Sequence, residues 1–291
     1  MADTIVCAVD DSEAAERVLD TARGLADALS ARLAVVHAVE SLGGADDAAA
    51  PVRARLAEAG APGELQLVEG STAEAIMQAA DRDGAELLVV GSRGRGHVRS
   101  ALLGSVSREL ASRSRCPVVI VPAGAHWGGR DGDADDGDPS VVCGVDGSDQ
   151  ALAAATLAGR LAAQLGVRLV VVHARQNLSA LAAYPGASMS TPPATGQHDA
   201  VEQRATELVK EAGQAAGVSV VGMVEPGPPA EVLESVAGRE SGRLIVIAAR
   251  GVGGLRAAVL GSVAAELPVT ATRPVVVISA PAAEAAAPSA S

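Results

Sequence analysis

The chain repeats itself, and no other feature limits its possible folds as much. "TIVCAVDDSEAAERVLDTARGLADALSARLAVVHAV" from Thr4 aligns without a gap on "SVVCGVDGSDQALAAATLAGRLAAQLGVRLVVVHAR" from Ser140. The offset is 136, so Cys7 matches Cys143, Asp10 matches Asp146, Ser12 matches Ser148 and His37 matches His173. A repeat of this size implies two copies of one domain. A second stretch, "VVGSRGRGHVRSALLGSVS" from Val89, returns as "VIAARGVGGLRAAVLGSVA" from Val246 at an offset of 157. The second copy therefore gains 21 residues between its second and third strands, within the Pro-, Ser- and Thr-rich 176–199, which reads as a surface loop.

Each copy alternates strands and helices. "TIVCAV" is a continuous apolar run, as expected of a strand buried on both faces. Asp11 and Ser12 offer N-caps for an amphipathic helix running to about Leu29. "RLAVVHAV", "ELQLVEG", "AELLVVG" and "PVVIV" read as further strands, with helices between them. The βαβαβαβαβ period predicts an α/β fold: a parallel five-stranded sheet in each copy, order 3-2-1-4-5, with helices on both faces. The expected boundaries are domain one over 1–122, a Gly/Asp-rich linker over 123–139, domain two over 140–279 and a disordered tail over 280–291.

Composition narrows the function. There is no Phe, one Tyr and one Trp, so aliphatic side chains must fill the core and base-stacking platforms are missing. A net charge of −12 argues against nucleic acid and against an acidic membrane surface. Cys7, Cys116 and Cys143 show no metal-binding spacing and read as small buried residues. With no apolar leader or spanning segment in view, a cytoplasmic location is expected.

Ligands of open parallel sheets bind beyond the carboxyl ends of the strands, where the winding reverses. Two such ends carry unusual residues. Strand one ends in Asp10, Asp11 and Ser12, and strand four ends in "GSRGRG" from Gly91. Gly91, Gly94 and Gly96 let backbone N–H groups approach a bound group, and Gly104-Ser105 opens a helix whose first amides are free. Such a nest suits phosphate, with Arg93, Arg95 and Arg99 adding charge. Asp10 would repel phosphate, so it suits ribose hydroxyls or an adenine amine at the other end. The glycine spacing does not fit G-x-G-x-x-G, and no lysine makes a P-loop.

The pattern Gly91-x2-Gly94-x9-Gly104-Ser105, with Asp10 after strand one, resembles the universal stress protein family in its tandem two-domain form. The resemblance covers both copies and implies Rossmann-like domains that bind ATP. Mg2+ is expected to meet Asp10 or Asp11 through water and phosphate oxygens, since it is usually held by few carboxylates plus phosphates. The resemblance assigns the adenosine contacts to Asp10 and the backbone near Val9 and Val39, and the phosphate grip to Gly91, Gly94, Gly104, Ser105 and Val106, to which Arg93 is expected to add its charge. His37 is assigned to the opposite face of strand two and left out. In the second copy Val145, Asp146, Gly251, Gly261, Ser262 and Val263 match, while Ala248 replaces the first glycine. That site is expected to bind ATP as well. The functional expectation is a nucleotide-dependent stress sensor or regulator acting on a protein partner. The alternatives are a nucleotide-free interaction module and a slow ATP-hydrolysing enzyme, with His97 the one base near the loop. The last strands, from Pro117 and Pro274, are sheet edges that are expected to pair within the chain, and a homodimer of chains is expected.

Overall fold

The computed structural model describes residues 3–43, 45–59, 65–94, 102–125, 127, 138–175, 195–251 and 260–286. The first copy runs β1 (Thr4–Ala8), α1 (Ala15–Leu29), β2 (Arg32–Val39), α2 (Ala45–Glu58), β3 (Leu65–Glu69), α3 (Thr72–Arg82), β4 (Ala85–Gly91), α4 (Ser105–Arg113) and β5 (Val118–Val121). The second runs β6 (Ser140–Gly144), α5 (Asp149–Leu165), β7 (Arg168–Arg175), α6 (Thr195–Ala216), β8 (Val220–Pro226), α7 (Pro229–Arg239), β9 (Gly242–Ala248), α8 (Ser262–Thr270) and β10 (Val275–Ile278). A last helix, α9, spans Ala280–Ala286.

The expected order 3-2-1-4-5 holds in both copies, and the two sheets join into one of ten strands, β3-β2-β1-β4-β5-β10-β9-β6-β7-β8. The join is antiparallel, with Val275 opposite Ile120 and Val277 opposite Val118. Two short edges that would otherwise expose unpaired backbone therefore satisfy each other. Successive strand residues feed opposite layers, Ile5 and Cys7 to one and Val6 to the other. One layer holds α1, α2, α5, α6 and α9, and the other holds α3, α4, α7 and α8. Each layer is continuous across both copies. An ion pair from Arg160 on α5 to Glu86 on β4, at 3.5 Å, also crosses between them. Burial pushes the Glu86 carboxyl above its ordinary range, opposed by Arg160.

Three expectations change. Ser12 bonds Asp10 Oδ1 through its N–H and hydroxyl but does not cap α1, because the helix starts later, at Ala15, with Ala14 in the cap position. The matching Ser148 does cap α5, accepting the Ala151 N–H at 3.2 Å. The tail is helical over Ala280–Ala286, since alanine is the best helix former, Ser279 Oγ caps the Ala282 N–H at 3.0 Å, and Ala282 is buried. The linker is partly anchored: Trp127 lies on α1 so closely that a side chain at Gly24 would overlap the indole ring. The insertion 176–194 lies outside the described residues, but its last residues, from Thr195, open α6.

The two copies are internal controls for each other. Ser30 ends α1 in the left-handed region at φ 53°, where α5 has Gly166 at φ 65°. At the turn before the fourth strand the roles reverse, with Gly84 at φ 61° and Ser241 at φ 50°. A Cβ in this region is strained, so Ser30→Gly and Ser241→Gly should each raise unfolding free energy by roughly 0.5–1 kcal/mol, read by urea denaturation. Gly24→Ala should red-shift the emission of Trp127, the sole tryptophan, as the indole is displaced. Its effect on stability should stay within about 1 kcal/mol, because helix propensity gained offsets packing lost.

Candidate functional site

A cleft of about 870 Å³ opens at the carboxyl ends of β1, β2 and β4. All the residues assigned to the first site border it: Val9, Asp10 and Val39 on one side, Gly91, Arg93, Gly94, Gly104, Ser105 and Val106 on the other. The position follows from the topology. β1 lies between β2 and β4, so the chain leaves it in both winding directions and the loops part above it.

Asp10 is held rigidly. Its Oδ1 accepts the Ser12 N–H at 3.0 Å and the Ser12 hydroxyl at 2.5 Å. Its Oδ2 faces the glycine loop, and a Cβ at Gly94 would come within 2.5 Å of that oxygen. Gly94 is therefore required for close approach rather than for a left-handed backbone, and the same holds for Gly91 and Gly104, none of which has positive φ. A Cβ at Gly91 would meet the Arg93 carbonyl at 3.1 Å and Val18 at 3.3 Å.

The opposite end is a helix start. α4 begins at Ser105 after Gly104, which has no side chain to cap it, and the first helical bond is Arg108 N–H to the Gly104 carbonyl. The amides of residues 105–107 thus precede the helical ladder, and the positive helix end faces the cleft. Ser107 Oγ donates to the Gly91 carbonyl at 2.6 Å, tying the loop's first residue to α4. That serine was not anticipated, although it stands two residues after Ser105 in the quoted stretch. Arg93 Nε reaches the Leu102 carbonyl at 3.4 Å, across the base of the loop. Arg95, Gly96, His97 and Arg99 lie outside the described residues.

His37 is not on the opposite face of β2. Two residues apart on a strand means the same face, and His37 borders the cleft with Val39. It is buried, and its Nδ1 lies 2.8 Å from the Val9 carbonyl. A carbonyl only accepts, so Nδ1 carries the proton. The Val39 carbonyl accepts the Gly70 N–H at 3.1 Å, so the backbone of Val39 is turned toward β3, and the peptide groups of Ala38 face β1 and the cleft instead.

The second copy repeats the carboxylate arrangement. Asp146 Oδ1 accepts the Ser148 N–H at 3.0 Å and its hydroxyl at 2.7 Å. Gly251 crowds Asp146 Oδ2 more closely still, and Gly261 starts α8 as Gly104 starts α4. His173 Nδ1 lies 2.9 Å from the Val145 carbonyl. Ser262 is exposed and Val263 partly buried at the helix start, while residues 252–259 between them and Gly251 lie outside the described residues. Two of the changes between the copies alter the packing of the loop's base. Ala264 replaces Ser107, removing the bond to the loop, and Ala248 replaces Gly91 where Ala154 replaces Val18, so the added methyl meets a smaller neighbour.

Burial holds the Cys7 and Cys143 thiols up at about 12, so they are packing groups and not nucleophiles. Among the described residues no group of three or more His, Cys, Asp or Glu side chains could hold a metal, and no helix is long and apolar enough to cross a membrane.

The model of the universal stress protein family matches residues 1–122 and again 139–279. A Thermus aquaticus protein named "Universal stress protein in QAH/OAS sulfhydrylase 3'region" is 40% identical over 133 residues, 40% of this chain and 97% of that protein. A universal stress protein of Mycobacterium tuberculosis is 34% identical over 196 residues, a match that spans 66% of this chain and 61% of the relative. The crystal structure of a universal stress protein from Archaeoglobus fulgidus superposes with a TM-score of 0.60 at 18% identity, over 96% of this chain and 99% of that one, which shows the fold. With both halves matched and the tandem sheet in place, the chain belongs to the universal stress protein family as a two-domain member.

Proposed function

We infer that the cleft takes an adenine nucleotide, ATP, and that the chain works as a nucleotide-dependent regulator in stress response. The supporting observation is the opposition of two unlike ends in one cleft. Asp10, with one carboxylate oxygen engaged by Ser12 and the other turned to the loop, faces the open first turn of α4. The acidic end suits hydrogen-bond donors such as ribose hydroxyls. The helix end, with the amides of residues 105 and 106, the Ser105 hydroxyl and Arg93, suits a chain of phosphates. Between them, the Ala38 peptide groups match the edge of adenine better than those of Val39, which are given to β3. Mg2+ fits this arrangement as an ion held mainly by phosphate oxygens and water, with Asp10 or Asp11 at its outer edge.

Rapid phosphoryl transfer needs a positioned nucleophile and a charge clamp in addition to the metal. Among the described residues the only imidazole in the cleft, His37, has Nδ1 committed to a backbone carbonyl. Hydrolysis is therefore slow in this reading, and the output is conformational. Phosphate bridging the 91–94 turn and α4 favours one placement of these two elements, and only such a difference in affinity shifts a population.

The second site follows the same plan without the tie from α8 to Ala248, since Ala264 lacks the hydroxyl of Ser107. Calorimetric titration with ATP should resolve two sites per chain, the first the tighter, with adenine nucleotide recovered from the denatured purified protein. Gly94→Ala places a methyl 2.5 Å from Asp10 Oδ2 and should weaken the first site at least tenfold while sparing the second. Gly251→Ala should do the reverse, and Ala264→Ser should tighten the second site several-fold. A folded protein that yields neither nucleotide nor binding heat is an interaction module instead; one releasing product over many turnovers per minute is an enzyme.

A further inference from the structure

We propose that His37 is a positioning residue that holds β1 and β2 apart at their carboxyl ends, so that the Ala38 N–H is left for the ligand. The argument begins with the ladder. β1 and β2 pair in register from Thr4–Arg32 to Ala8–Val36, and the Val9 N–H still reaches the Val36 carbonyl at 3.0 Å. In a parallel ladder the next rung carries the Ala38 N–H to the Val9 carbonyl. That rung is not made: pairing stops at Ala8, and the Val9 carbonyl takes the His37 Nδ1–H at 2.8 Å instead. A side-chain donor thus replaces a backbone donor at the last rung.

The consequence is steric as well as electronic. With the imidazole bonded to the Val9 carbonyl, β2 does not have to close on β1 to satisfy it. β1 turns away to Asp10 while β2 runs on to pair Val39 with Glu69 of β3. Ala38, half-buried, borders the cleft at the point of divergence. The second copy does the same. β6 and β7 pair as far as Gly144–Val172, the Val145 N–H reaches the Val172 carbonyl at 2.9 Å, and the Val145 carbonyl takes the His173 Nδ1–H at 2.9 Å. The substitution persists although Gly91, Ser92 and Ser107 have become Ala248, Ala249 and Ala264. The histidine bond is therefore tied to the splitting of the strands and does not depend on Gly91, Ser92 or Ser107.

The ligand side of this proposal rests on the adenine-nucleotide reading; the ladder side does not. Amide hydrogen exchange on the full chain separates them. In the nucleotide-free wild type, Ala38 should exchange at least tenfold faster than Val36, and ATP should protect it. In His37→Leu the missing rung closes, so Ala38 should become protected without nucleotide and ATP affinity should fall roughly tenfold. His37→Gln, which keeps an N–H donor, should restore both. Nitrogen chemical shifts of the wild type should place the ring proton on Nδ1, and His173→Leu should protect Ala174 independently. If the ladder results hold and ATP does not bind, the nucleotide reading falls and the ladder stands. Protection of Ala38 in the free wild type, a proton on Nε2, or unchanged Ala38 exchange in a folded His37→Leu overturns the proposal.

Discussion

A strand covered on both faces can place polar groups only at its ends, and this constraint organises the chain. Ile5, Val6 and Cys7 are essentially inaccessible, as are Val141, Val142 and Cys143 in the second copy. From the start of β1 and of β6 onward, the first carboxylate appears only where the strand leaves the sheet, at Asp10 and Asp146. Helices on both faces then force parallel pairing with crossover connections, and parallel pairing collects all carboxyl ends on one rim. Asp10 and the glycine turn after β4 therefore meet because β1 and β4 are neighbours, not because of any local signal.

The two copies show which parts of the rim tolerate change. Asp10 with Ser12, the close approach of Gly94, the helix start at Gly104 and the histidine bond to the first strand all recur. The first loop glycine does not. Its loss is matched within the same copy, since the residue at the position of Val18 shrinks to Ala154. The 3.3 Å contact that a Cβ at Gly91 would make with Val18 is thus relieved at Ala248. The exchange of Ser30 and Gly166, against Gly84 and Ser241, is different in kind. It costs each copy some backbone strain in a turn and touches no site.

Strand order and the pairing of final edges were legible because they rest on periodicity and on topological rules that act over the whole chain. The site was legible as far as residue types carry it: a carboxylate after one strand, and glycines with a serine after another. What escaped depends on direction within one element. Period two places His37 beside Val39, and the alternation of peptide groups turns Val39 toward β3 and Ala38 toward the cleft; a motif that names one strand end specifies neither. Ser12 was legible as a cap because serines before helices usually are, but α1 starts three residues later, at Ala15, whereas Ser148, bonded to its aspartate in the same way, stands directly before α5 and caps it. The alanine-rich tail lacks periodicity, and what secures the helix that alanine favours, the Ser279 cap and the burial of Ala282, is tertiary.

Fusing two copies changes what the seam does. Between separate chains, pairing of the final strands would depend on concentration; within one chain it is intramolecular, and the β5–β10 rungs and both helix layers are fixed together. The cost of symmetry is then removed, because each copy can drift while the other maintains the join. The absence of a serine at position 264 and the presence of a methyl at 248 are changes of that kind, confined to one rim. A symmetric pair of identical chains must carry every such change twice. A tandem chain carries it once, so it can hold two unequal cleft chemistries on one continuous sheet. The sheet's outer strands are then β3 and β8, and β8 presents Val221 at 40% exposure on an edge whose first-copy counterpart has no exposed large apolar side chain. The asymmetry between the two carboxyl-end rims therefore extends to the two outer edges of the sheet.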